Sequence, residues 1–187
     1  VAALGTAALK GLGVESVAAL TTAQMQAITT AQFASLSSTQ LAALGSADVA
    51  AITTADLKAM GTTALGGLSA DQMAHLTTAQ IAALGTAHIA ALSAEQVTGL
   101  SVGSVTALSS SQLSVLGSTQ LVAFNTAQLA AIGTDDIKTL ATAALHALGA
   151  DQVAAMTSDQ FSAMTTAQAV ALTADQLAGL TTTKLNA

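Results

Sequence analysis

The chain has 187 residues, a net charge of −6 and neither cysteine nor proline, which excludes disulfides and thiol chemistry. Its only cations are Lys10, Lys58, Lys138 and Lys184, so it lacks the basic stripe that replaces counterions in nucleic-acid binders. Apolar residues make up 52% but aromatics only 2%, and charged residues only 7%, far below the roughly 25% of ordinary globular domains. The core must therefore be a ladder of Leu, Ile, Val and Met lined with Ala, under a surface of Thr, Ser, Ala and Gln.

The sequence is one octapeptide repeated about twenty-three times from Gly5 onward without insertion or deletion; residues 77–84, TTAQIAAL, are its clearest copy. Position eight is apolar throughout, from Leu12, Leu20, Ile28 and Leu36 to Leu172 and Leu180. Position five runs from Leu9, Val17, Met25 and Phe33 to Leu177, and only Ala169 is small there. Position one is mostly Ser, Thr or Asn (Thr21, Thr29, Ser37, Thr53, Thr77, Asn125, Thr165) and otherwise mostly Gly (Gly45, Gly85, Gly117), which are preferred helix N-caps. Three residues later stands usually Gln or Asp, as in Gln32, Gln80, Gln168 and Asp56, giving the capping-box spacing Thr29/Gln32, Thr77/Gln80 and Thr165/Gln168. The apolar residue before each cap and position five after it have the spacing of a hydrophobic staple, pairing Leu76 with Ile81 and Leu84 with Ile89.

One continuous helix is excluded, because eight residues at about 100° each leave the apolar stripe drifting by roughly 80° per copy. A flat strand is excluded too, since the odd steps of five and three put positions five and eight on opposite faces. A β-solenoid bent once per octad is the alternative. The expected fold is an all-α solenoid of short helices, one per octad and broken at each corner, over a single continuous array spanning residues 1–187. Its core includes Leu76, Ile81, Leu84, Ile89, Leu92, Leu129 and Ile132. Ala or Gly at position seven allows close helix approach, and the Lys and His residues at position six (Lys10, Lys58, Lys138, His146) should face water. Whether two or three octads complete a coil stays open. A weak similarity between residues 53–76 and 133–156 suggests a ten-octad super-repeat, which divides by two and not by three.

Along the chain, the first two octads lack Gln at position four, having Ala8 and Ser16, and should be slightly looser. Residues 101–108, SVGSVTAL, form the weakest copy and are expected to fray. The chain begins and ends within an octad without atypical capping repeats, as a piece of a longer array would. No run approaches the roughly 20 apolar residues of a membrane helix.

His75, His88 and His146 occupy positions seven, four and six of different octads, whereas a repeating metal site would reuse one position. Asp71, Glu95, Asp135, Asp151, Asp159 and Asp175 fall in first helical turns, where the helix dipole favours a carboxylate without calcium. No calcium-binding nonapeptide, nucleophile elbow or recurrent Ser-His-Asp spacing is present. The methionines fall at core positions. Neither an enzymatic activity nor a metal or cofactor is expected.

The octads LTTAQIAAL, LTTAQMQAI and LSAEQVTGL resemble the arrays of very large secreted bacterial surface proteins of the adhesin or repeat-rich exoprotein type. The resemblance implies a structural or adhesive role outside the cell, carries over no functional residues, and offers no paired axial ligands that would support haem. The expected function is a structural module that stacks or packs with copies of itself into a filament, stalk or surface layer. The alternative is binding of ice or a crystal surface by hydroxyl residues at position two (Thr22, Thr30, Thr54, Thr78, Thr126), a row interrupted by Ala70, Ala94, Val102, Ala150 and Ala174.

Overall fold

A computed structural model describes residues 3–185, without the side chain of Leu185; residues 1, 2, 186 and 187, which include both chain ends noted above, lie outside the description. Among the described residues there are 22 short α-helices and one 3-10 helix, and no strand, so the fold is an all-α solenoid of short helices and not the β alternative. Every helix starts at position two of its octad and runs for four to six residues. Such helices are far below the roughly 12–15 residues at which even an Ala-rich helix becomes marginal in water, so each depends on its neighbours.

The corners have a simple backbone. Position eight closes one octad in an extended conformation (Leu84, φ −63, ψ 138) and position one opens the next in the same region (Thr77, φ −71, ψ 157). No described residue has positive φ, so glycine at position one is not required by the chain path. Where the cap is Ser, Thr or Asn with Gln three residues on, the box closes in both directions. In the clearest copy Thr77 N donates to Gln80 Oε1 at 2.7 Å and Gln80 N donates to Thr77 Oγ1 at 3.2 Å. Thr29/Gln32 and Thr165/Gln168 repeat that geometry.

The described residues divide into two compact units, Val1–Leu100 and Ser101–Ala187. In the first, each helix packs on the helix three octads away. Thr6–Lys10, Thr30–Phe33, Thr54–Ala59 and Thr78–Ala83 form one column, Val14–Ala18, Ser38–Ala42, Thr62–Leu65 and Thr86–Ala90 a second, and Thr22–Gln26, Ser46–Ala51, Ala70–Ala74 and Ala94–Thr98 a third. The second unit repeats the rule, with Thr126–Ala130 beneath Ala150–Ala155 and Ser118–Ala123 beneath Thr142–His146. A coil therefore closes every three octads, and the ten-octad similarity is not the winding period.

Inside each unit the ladder is shut from water. Position five is fully buried at Leu41, Val49, Leu57 and Ile81, and position eight is nearly so at Leu36, Leu68, Leu84 and Leu140. Leu76, Ile89 and Leu92 are likewise buried in the first unit, and Leu129 and Ile132 in the second. Each such side chain contributes about 1.5–3 kcal/mol by burial. Near the C-terminal end of the second unit the ladder opens into an apolar recess of about 200 Å³ lined by Phe161, Met164, Leu172, Leu177, Leu180 and neighbours.

Position six faces water at Lys10, Lys58, Lys138 and His146. At position seven the close approach is real for two glycines: a Cβ on Gly67 would stand 2.2 Å from the Ser38 carbonyl oxygen, and one on Gly99 would stand 2.0 Å from that of Ala70.

Residues 101–108, expected to be the loosest copy, form the α-helix Val102–Thr106 with Val105 buried. The irregular octad is instead 133–140, where Thr134–Thr139 is a 3-10 helix and the Thr139 hydroxyl donates to the Asp136 carbonyl at 2.6 Å, tying the chain to a residue three back. No described helix is long and apolar enough to cross a membrane.

Candidate functional site

The polar chemistry of the octad converges on position four. Gln is charged with one task by the sequence, the capping box, and its Oε1 performs it. The structure adds a second task for the other end of the amide. Gln80 Nε2 donates to the carbonyls of Val49 (2.9 Å), Ala50 (3.3 Å) and Ile52 (2.7 Å), which are positions five, six and eight of an octad one coil below. The Val49 carbonyl also accepts the Ile52 backbone N–H at 3.3 Å, so the amide adds a donor at the helix end, where intrahelical partners run out. One side chain thus caps the start of its own helix and the end of a helix beneath it.

The arrangement recurs with little variation. Gln40 reaches Leu9, Lys10 and Leu12, Gln72 reaches Leu41, Ala42 and Leu44, and Gln160 reaches Leu129, Ala130 and Ile132, all within 2.7–3.3 Å. Gln96, Gln168 and Gln176 do the same. Gln32 donates to the Leu4 carbonyl. All these amides are buried, which a primary amide tolerates only when its donors and acceptor are engaged.

The box alone does not account for Gln where position one is glycine, because glycine has no hydroxyl to reciprocate. Yet Gly149 N donates to Gln152 Oε1 at 2.9 Å, and Gln152 Nε2 still reaches Val122 and Phe124. Gln behind glycine at Gly117/Gln120 and Gly149/Gln152 is the trace in the sequence of a second partner for the amide.

Substitutes at position four show what the place demands. His88 stands there with 9% exposure, its Nδ1 accepting from Gly85 N at 3.1 Å and its Nε2 2.7 Å from the Met60 carbonyl. Acceptor on one nitrogen and donor on the other is the amide's pattern, which a neutral imidazole with its proton on Nε2 reproduces. The mark of this role in the sequence is the position, four of its octad, and not the imidazole itself. Lys184 also occupies position four, and its ammonium donates to the Ala154 carbonyl. Asp48 and Asp136 cannot donate; they accept instead from hydroxyls at position two of the octad three earlier, Thr22 (3.1 Å) and Ser110.

The other candidate residues are not brought together. His75 Nδ1 lies 2.8 Å from the Asp71 carbonyl on its own helix, and His146 Nδ1 lies 2.7 Å from the Ala171 carbonyl. Among the described residues no group of three or more His, Cys, Asp or Glu could hold a metal ion. Asp135 forms only an exposed 4.0 Å pair with Lys138, of the kind that contributes about 0–1 kcal/mol.

An octad frame, a three-octad coil and, in the regular octads, a side-chain amide tying one coil to the one below define a helical-repeat protein. The ALTTAQ repeat profile matches residues 1–30, 49–86 and 129–166, more than half of the chain. The chain belongs to the ALTTAQ repeat family. No curated protein matches it.

Proposed function

We propose that the chain is a structural, non-enzymatic module of one continuous repeat array, placed outside a bacterial cell or at its surface and associating with copies of itself, head to tail or side by side, into a filament, stalk or layer. The observation that carries this reading is the clamp. In the regular octads the side chain best equipped for recognition is spent on joining coils, with its acceptor and donors both engaged inside the fold. Nearest-neighbour interfaces of this kind add along a solenoid, so length itself supplies robustness without disulfides or metal. The remaining surface is small and nearly uncharged, which permits close lateral packing. Neither nucleic acid nor a cofactor has a part in this function. Electron microscopy of the purified chain, and of the cell surface that carries its parent protein, tests it. Monodisperse particles at high concentration, with no end-to-end or side-by-side association, would overturn self-assembly and leave a spacer role.

One observation favours a second reading, binding to ice or another crystalline surface. Counted along the chain, alanines interrupt the hydroxyl row at position two, but the three-octad coil places Thr6, Thr30, Thr54 and Thr78 in one column of the first unit, all exposed. Thermal hysteresis at micromolar protein would support this reading, and its absence would dispose of it.

A further inference from the structure

We infer that the first unit carries a built-in parting line at residues 37–44, where the solenoid opens before it opens elsewhere between residues 3 and 100. The line follows from which octads have a donor at position four. Three consecutive octads, a complete coil, have none: Asp48 and Asp56 bear only acceptors and Ala64 bears neither. Few clamps therefore span a chain cut in this region. A cut between Leu36 and Ser37 is spanned by Gln40 alone, and a cut between Leu44 and Gly45 by Gln72 alone. A cut between Leu68 and Ser69 is spanned by Gln72, Gln80, His88 and Gln96.

Three further features of the same coil agree. Its helices Ser46–Ala51 and Thr62–Leu65 start at Gly45 and Gly61, which make no side-chain cap bond. A single bond to the coil below, donated by the Thr22 hydroxyl to Asp48, replaces what elsewhere is a set of two or three amide bonds. Where a Gln at position 64 would lie there is a surface recess of about 400 Å³, bounded below by Ala34 and Leu36 and above by Gly61 and Ala64. Those are the positions, 30 and 28 residues back, to which the neighbouring amides donate. The apolar ladder does not distinguish this coil, since Phe33, Leu36, Leu41, Leu44, Leu57 and Leu65 are as buried as their counterparts. The missing clamps are the difference.

Because helices of four to six residues cannot persist unstacked, opening at this line releases the preceding coils as a block. Hydrogen exchange of the full chain tests this. The amides of residues 6–36 are expected to exchange at one common, faster rate, with a step up in protection inside residues 37–44. Ala64→Gln removes no existing bond, fills the recess and spans both weak cuts; it should slow exchange of that block about tenfold. Gln72→Ala should speed it by a similar factor, whereas Gln96→Ala, which does not span the line, should leave it unchanged. A gradual rise in protection from the N-terminal end with no step at 37–44 would overturn the inference. So would an Ala64→Gln chain of unchanged helicity whose block exchanges as before.

Discussion

Replacing Gln80 by Glu separates the two tasks of position four. The local reading, a capping box at a helix start, makes Glu at least the equal of Gln, and the helix dipole adds about 0.3–1 kcal/mol in its favour. The clamp makes the opposite prediction. A carboxylate keeps the acceptor for Thr77 N, but it turns a second acceptor toward Val49, Ala50 and Ile52, whose carbonyls lie 2.7–3.3 Å from the present donor. Gln80 is 2% exposed, so water does not reach in to mediate. Loss of the donor costs about 1–3 kcal/mol at the Ile52 carbonyl and less at Val49, which still accepts from Ile52 N at 3.3 Å, and a buried carboxylate facing them adds to that, giving about 3–5 kcal/mol in all. Gln80→Ala forfeits the same bonds without the repulsion and should cost about 2–4 kcal/mol. Local opening free energies from hydrogen exchange over residues 45–92 read the effect without assuming that a solenoid unfolds in one step. The pH dependence has a definite sign. Burial and the facing carbonyls raise the introduced carboxyl's folded-state pKa, and its protonated form again offers one donor. The variant should approach the parent below the ordinary carboxylate range and lose stability as pH rises through that raised value. A variant at neutral pH as stable as the parent would refute the clamp and leave only the cap.

His88→Gln should raise the melting temperature, because the amide adds donors toward the carbonyls around Met60, with a gain of about 0.5–1.5 kcal/mol; a circular dichroism melt checks it. Gly67→Ala should destabilise by about 1–3 kcal/mol or more, since its Cβ would overlap the backbone of Ser38. Gly61→Thr meets nothing within 4 Å at φ −75 and offers a hydroxyl to Ala64 N, so it should gain about 0.5–1 kcal/mol in a urea titration. Leu84→Asp places a carboxylate where the side chain is 3% exposed and should melt its coils, whereas exposed Lys58→Ala should stay within about 0.5 kcal/mol by the same titration.

Much of the fold was legible because the octad states its local rules repeatedly. The Thr77/Gln80 spacing, the apolar positions five and eight, and the small residue at position seven that becomes the Gly67–Ser38 approach are all short-range patterns. The coil number was not legible. It depends on how two extended residues, such as Leu84 and Gly85, turn each corner, and residues of ordinary φ carry no mark of the angle they set. The clamp was half legible: the acceptor end of Gln80 has its partner three residues away, but the donor end finds Val49 at a separation of 31, a distance that follows only from the winding. The role of His88 was hidden for the same reason, since its partner Met60 lies 28 residues back.

The clamp also has a direction in time. Its donor always stands 28 to 31 residues later in the chain than the carbonyls it engages. A polypeptide emerging N-terminus first therefore presents the acceptors before the amide that will hold them, and each coil becomes the template on which the next one sets. Closure needs little more than one further coil of emerged chain, so the array can mature stepwise behind the exit of a ribosome or a secretion channel, with at most about one coil of unsatisfied ladder open at any moment.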